Sequence, residues 1–196
     1  MFLLGLTGSI GMGKSTTAVM FAETGCAVWD ADAAVHRLYS VGGAAVPLFK
    51  QAFPDAIVEG AVSRPNLKKI IDDDPATLKK IEQIVHPLVA LDRAAFIEST
   101  EAEIIVLDIP LLFEKGGKNR LDAVACVIVD EETQKARVME RGTMTPEQFE
   151  TIKAKQMPAD EKAARSDYVI RTETIEEARS AVHSIIADIK GKIRHA

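Results

Sequence analysis

Apolar residues in this chain come in short unbroken runs, separated by stretches with helical spacing. Residues 2–7 (Phe-Leu-Leu-Gly-Leu-Thr) form the first run and lead into glycines, after which Ala18, Val19, Phe21 and Ala22 recur at helical spacing until Gly25 stops them. A second run, 26–29, ends at Asp30-Ala31-Asp32, so the opening reads as strand, tight loop, helix, strand. Further runs at 104–107, 123–129 and 168–170 alternate with helical patterns. Strands that are apolar at successive positions are buried on both faces, as in a parallel sheet covered by helices. The predicted core is α/β.

Two stretches break the alternation. Residues 33–100 show helical periodicity and no convincing strand, with helices expected over 46–53, 65–71, 75–85 and 87–96 and prolines at or near their starts. Residues 141–165 contain Thr145-Pro146-Glu147-Gln148, which is an N-cap, a proline at the first helical position and a glutamine three residues after the cap. They read as a short polar helical pair suited to a lid. The last helix has the same start signal at Thr174 and Glu177, and Ala178, Val182, Ile185, Ile186 and Ile189 lie on one face. The expected organisation is a core of residues 1–32, 101–140 and 166–196, a helical insertion over 33–100 and a lid over 141–165.

Composition narrows the partners. The chain has 196 residues, 47% of them hydrophobic and 27% charged, enough apolar material for a core of its own. With 24 Lys+Arg against 29 Asp+Glu its net charge is −5, which argues against nucleic acid and anionic membrane surfaces as partners. Asp108 interrupts the longest apolar run, short of the roughly 18 residues that cross a bilayer. No basic residue precedes the apolar start, so it reads as a strand and not a targeting leader. The two cysteines, Cys26 and Cys126, sit in apolar runs and read as reduced buried thiols in a cytoplasmic protein. No interface stripe indicates an oligomeric state.

The chemistry concentrates at Gly8-Ser9-Ile10-Gly11-Met12-Gly13-Lys14-Ser15, which matches G-x-x-x-x-G-K-[ST] between a predicted strand and a predicted helix. Glycines let successive backbone N–H groups turn towards phosphate oxygens, and the helix N-terminus adds its positive dipole end. Lys14 is placed to reach the β- and γ-phosphates of a nucleoside triphosphate, and the Ser15 hydroxyl to ligate Mg²⁺. The expected fold is therefore a three-layer P-loop core with a helical substrate-binding insertion and a short lid. No Asn-Lys-x-Asp follows a later strand, which argues against a GTPase switch. A small-molecule kinase, on a nucleoside or another alcohol, and a non-catalytic nucleotide switch both fit the loop alone.

Other polar residues stand where such a kinase needs them. Asp30 and Asp32 follow the second strand, at the carboxyl edge where ligands bind, and act either as helix caps or as carboxylates beside the transferred phosphate. Asp108 ends the third strand, a position suited to supporting the magnesium shell. Arg137 and Arg141 are one turn apart and read either as nucleotide contacts, since guanidinium forks match phosphate oxygens, or as a solvated basic face.

Gly5-Leu6-Thr7-Gly8-Ser9-Ile10-Gly11-Met12-Gly13-Lys14-Ser15, Val28-Trp29-Asp30-Ala31-Asp32, His86-Pro87, Pro110-Leu111-Leu112-Phe113-Glu114 and Asp167-Tyr168-Val169-Ile170 together resemble dephospho-CoA kinase. The resemblance implies ATP and dephospho-CoA as substrates, Mg²⁺ as cofactor, and transfer of the γ-phosphate to the ribose 3′-hydroxyl. It makes Asp32 the catalytic base and residues 11–16, with Gly8, the ATP segment; the reading of the residues beside it puts Lys14 and Arg141 on the transferred charge and Arg137 on the nucleotide. It leaves Asp30 to assist either magnesium or the acceptor, Arg37 as either an acceptor-phosphate contact or a solvated helix charge, and His86 as either a substrate contact or a cap between two helices. Lys155 before Gln156, Met12 and Thr172 depart from the family's pattern.

Overall fold

The computed structural model describes residues 1–114, 116, 118 and 120–195. In chain order its elements are β1 (Phe2–Thr7), α1 (Lys14–Glu23), β2 (Ala27–Asp30), α2 (Ala31–Tyr39), α3 (Val46–Ala52), β3 (Ile57–Val58), β4 (Ala61–Val62), α4 (Arg64–Asp73) and α5 (Thr77–Ser99). There follow β5 (Ile104–Asp108), β6 (Ala123–Ile128), α6 (Glu131–Glu140), α7 (Pro146–Ala154), α8 (Ala159–Ala164), β7 (Tyr168–Arg171) and α9 (Ile175–Arg194). The chain divides into two units, Met1–Trp29 with Glu101–Ala196, and Asp30–Thr100.

In the first unit the sheet order is β2-β5-β1-β6-β7, with β1, β5, β6 and β7 parallel. The order switches direction at β1, so the loop after β1 opens at the crevice where parallel sheets bind ligands. Leu4, Leu6, Ile104, Val106, Ala125 and Val127 face α1 and α9, which contribute Phe21, Val182 and Ile186 among others to one apolar cluster. The opposite face is also covered: α8 packs on β6. Burial on both faces explains why these strands read as unbroken apolar runs. The predicted α9 face is buried, and Thr174–Glu177 and Thr145–Gln148 are both full capping boxes.

In the second unit Leu38, Tyr39, Phe49, Val62, Leu67, Ile81 and Val85 share a separate core. The Tyr39 and Phe49 rings meet edge to face at 5.4 Å. Two sequence expectations are corrected here. The insertion does contain strands: β3 and β4 pair as an antiparallel hairpin. Its turn residues, Glu59 and Gly60, both have positive φ (49° and 81°), as a two-residue turn of this hand requires. The helices expected over 75–85 and 87–96 are one helix, α5, with Pro87 inside it. The proline removes one backbone N–H, but Ile81 and Val85 before it and Leu88 and Val89 after it pack in the same core, and that burial carries the helix through.

Candidate active site

The loop between β1 and α1 is built to expose N–H groups. Its glycines are required by space and by backbone: a Cβ on Gly8 would lie 2.2 Å from Val127 Cγ2, while Gly11 (φ 78°) and Gly13 (φ 83°) are left-handed. Two of its carbonyls are held by side chains from distant elements. Gln134 Nε2 of α6 donates to the Ile10 carbonyl at 2.7 Å, and Thr172 Oγ1, after β7, donates to the Met12 carbonyl at 2.9 Å. Across a planar trans peptide the N–H points opposite to the carbonyl, so the amides of Gly11 and Gly13 are directed away from these braces. The first turn of α1 carries no acidic side chain to neutralise its dipole. A third brace, Gln156 Oε1, accepts the Ile10 N–H at 3.2 Å.

Lys14, the first residue of α1, forms an ion pair with the buried carboxylate of Asp108 at the end of β5. Ser15 and Thr16 are exposed, and Met12 is buried in the core. Beside the loop lies a cavity of about 160 Å³ whose lining includes Gly13, Thr16, Arg137, Arg141, Thr172 and Ile175. The structure thus brings the two predicted arginines together next to the glycine loop. They are held differently. Arg137 donates to Thr172 Oγ1 (3.2 Å) and to the carbonyls of Thr172 (2.5 Å) and Glu173 (3.3 Å), whereas Arg141 is exposed at the C-terminus of α6.

The remaining candidates belong to the second unit. Asp30 accepts the Ala33 N–H at 2.8 Å as N-cap of α2, and Asp32 is exposed in that helix's first turn. Arg37 donates to both carboxylate oxygens of Asp92, at 2.6 and 3.3 Å. His86 is exposed in the middle of α5; because the helix does not break there, the reading of His86 as a cap is corrected.

Residues that sequence reasoning did not assign also shape the site: Gln134, Gln156 and Thr172 on the loop, and a fully buried Lys162 paired with Glu114 at 2.9 Å. The departures at 155–156 and 172 were the visible signals for two of them. Glu114 belongs to the Pro-Leu-Leu-Phe-Glu motif. Burial opposes its ionisation, but the Met157 N–H and Lys162 outweigh that and hold its carboxyl below the ordinary glutamate value. Burial pushes the Cys126 thiol up to about 11.

A glycine loop braced from three elements, opening from the central strand of a parallel sheet with a lysine at the head of the next helix, defines a P-loop kinase core. Residues 2–177 match the family described as dephospho-CoA kinase. A dephospho-CoA kinase from Ruegeria pomeroyi is 65% identical over 195 residues, covering 100% of this chain and 99% of that protein. A crystal structure from Thermus thermophilus, TT1252, superposes with a TM-score of 0.85 at 34% identity, over 95% of this chain and 97% of that one. The dephospho-CoA kinase from Campylobacter jejuni shares the fold, with a TM-score of 0.70 at 24% identity over 97% and 98% of the two chains. The chain belongs to the dephospho-CoA kinase family.

Proposed function

We infer that this protein transfers the γ-phosphate of ATP to the 3′-hydroxyl of the dephospho-CoA ribose, giving coenzyme A. The observation that carries the reading is the family match along essentially the whole chain, together with a phosphate loop of the required geometry. Residues 8 and 11–16 bind the triphosphate through backbone N–H groups, and Lys14 Nζ leaves Asp108 to follow the charge on the transferred phosphoryl. Arg141, exposed at the cavity, supplies a second cation to the nucleotide. Arg137 is tied to the 172–173 backbone and presents the cavity wall.

Asp32 takes the proton of the attacking hydroxyl at its carboxylate, and its exposed place in the first turn of α2 leaves both oxygens accessible to a substrate. Asp30, Arg37 and His86 are acceptor-side contacts in this reading, and residues 33–100 are the substrate-binding insertion. Residues 141–165 close over the nucleotide and exclude water.

Mg²⁺ fits the donors present. Ser15 offers a hydroxyl and Asp108 a buried carboxylate, hard oxygen ligands of the kind Mg²⁺ takes with phosphate oxygens and water. Among the described residues no three His, Cys, Asp or Glu side chains form a cage, which accords with a metal that arrives with its nucleotide. When bound, the ion neutralises charge on the phosphate oxygens. The two cysteines are buried free thiols, compatible with a reducing, cytoplasmic compartment. Among the described residues no helix is long and apolar enough to cross a membrane.

The test is direct: incubate the protein with ATP, Mg²⁺ and dephospho-CoA and look for coenzyme A by mass. ADP release without a phosphorylated acceptor would refute the substrate assignment.

A further inference from the structure

Around the glycine loop, polar groups that take no part in the chemistry above form one connected path. Ile10 N–H donates to Gln156 Oε1 at 3.2 Å, and the next amide, Met157 N–H, donates to Glu114 Oε1 at 2.9 Å. Glu114 is ion-paired with Lys162 Nζ at 2.9 Å, and Lys162 also donates to the Pro110 carbonyl at 3.3 Å. That same carbonyl accepts Thr7 Oγ1 at 3.1 Å, and Thr7 is the last residue of β1, just ahead of the loop. The path therefore leaves the loop at Ile10 and returns to the chain at Thr7, entirely within the first unit.

A fully buried lysine is costly to desolvate, and a methionine would fill the same space without that cost. What the ion pair supplies and a methionine would not is direction. It fixes one carboxylate oxygen at the Met157 amide, and thereby the turn at 155–158 that carries Gln156. Gln156 in turn meets the loop at the residue whose carbonyl is already held by Gln134, so the Ile10 peptide groups are pinned from both sides.

We propose that Glu114 and Lys162 are positioning residues for nucleotide binding: their ion pair seats the 155–158 turn so that Gln156 holds the Ile10 amide and keeps the loop in its phosphate-binding shape. The inference rests on residues 8–16 being the ATP site.

The experiment compares the wild type with Gln156→Ala, with the neutral pair Glu114→Gln plus Lys162→Met, and with all three changes together. The readouts are the Kd of a fluorescent ATP analogue, KM for each substrate, kcat and Tm. Gln156→Ala should weaken nucleotide binding about fivefold, the value of one hydrogen bond, and leave the dephospho-CoA KM unchanged. The neutral pair should weaken it to a similar degree, and the triple variant no more than either, because the pair acts through Gln156. Effects that multiply to about 25-fold in the triple variant overturn the proposal, as does a Gln156→Ala Kd within about twofold of wild type. Should the neutral pair not fold, Glu114→Asp, which keeps the charge but retracts the carboxylate, must weaken binding in the wild-type background and not in the Gln156→Ala background; any other pattern overturns it. Lys14→Ala separates the two readings: if that variant binds ATP as the wild type does, the ATP-site assignment has failed, whatever the Gln156 series shows.

Discussion

Replacing Asp108 by Asn isolates the ion pair at the centre of the site. Lys14 and Asp108 side chains are 15% and 2% exposed, so the pair is mostly dry on one side and reached by water on the other. Asparagine keeps the shape and one acceptor but removes the charge, leaving the ammonium facing a neutral amide. A hydrogen bond to a charged group contributes about 1.5–3 kcal/mol, and stripping a fully buried pair of one partner costs about 3–5 kcal/mol. Water at Lys14 argues for the lower range, while the positive end of α1, on which Lys14 sits, argues against the lowest values. The expected loss is about 2–3 kcal/mol. At roughly 2–4 °C per kcal/mol for a chain of this size, Tm without ligand falls by about 4–12 °C. Saturating ATP gives Lys14 phosphate oxygens as partners in both proteins, so the deficit between variant and wild type shrinks when ATP is present. Differential scanning calorimetry with and without ATP, in the absence of Mg²⁺ so that metal binding does not intervene, reads both quantities. An unchanged ligand-free Tm, or a deficit that ATP leaves untouched, refutes the account of the pair as the resting partner of the phosphate lysine.

Asp32→Asn should leave the ATP Kd within about twofold and stability within about 0.5 kcal/mol, since the residue is exposed, while lowering kcat by about 10²–10⁴; steady-state kinetics with unchanged turnover would remove Asp32 from the mechanism. Gly11→Ala forces a side chain into a left-handed conformation at about 1–2 kcal/mol and places Cβ 2.6 Å from Val138 Cγ2 and 2.9 Å from the Gln134 carbonyl. Calorimetric titration should show ATP binding weakened at least about tenfold, the loss that about 1.4 kcal/mol produces; a wild-type Kd would mean the loop does not need that conformation. Acid should find the Glu114–Lys162 pair: the folded glutamate has a depressed pKa, so its contribution is complete above the unfolded value and is lost as pH falls through the folded one. Denaturant midpoints measured from pH 6 down to pH 3 should therefore drop more steeply for the wild type than for the neutral pair variant, and parallel curves would contradict the assignment.

What could be read from sequence follows the range of the interaction involved. The five sheet strands and both capping boxes depend on neighbours a few residues away, and they appear where the pattern puts them. So does the glycine loop, where left-handed backbone at Gly11 and Gly13 dictates the residue type locally, although the space that requires Gly8 is set by distant Val127. The braces are another matter. Gln134 and Gln156 reach Ile10 across 124 and 146 residues, and Thr172 reaches Met12 across 160, so nothing local marks Gln134, and the departures from the family's pattern at 155 and 172 single out positions near the other two without saying what they hold. Pro87 misleads for the same reason, since local propensity says stop while the apolar contacts on either side of it, made with other helices, say continue. The hairpin escapes because two residues per strand are too few for any alternation to show. Lys162 is the extreme case. In an Asp-Glu-Lys stretch it has the look of a solvated helix face, and only the fold reveals that its carboxylate partner, Glu114, waits 48 positions earlier. A loop whose amides must stay aimed at phosphate needs rigidity from outside itself, and supports of that kind are free to come from anywhere in the chain. The glycine loop is therefore legible in consecutive residues, while the side chains that brace it come from elements that only folding brings together.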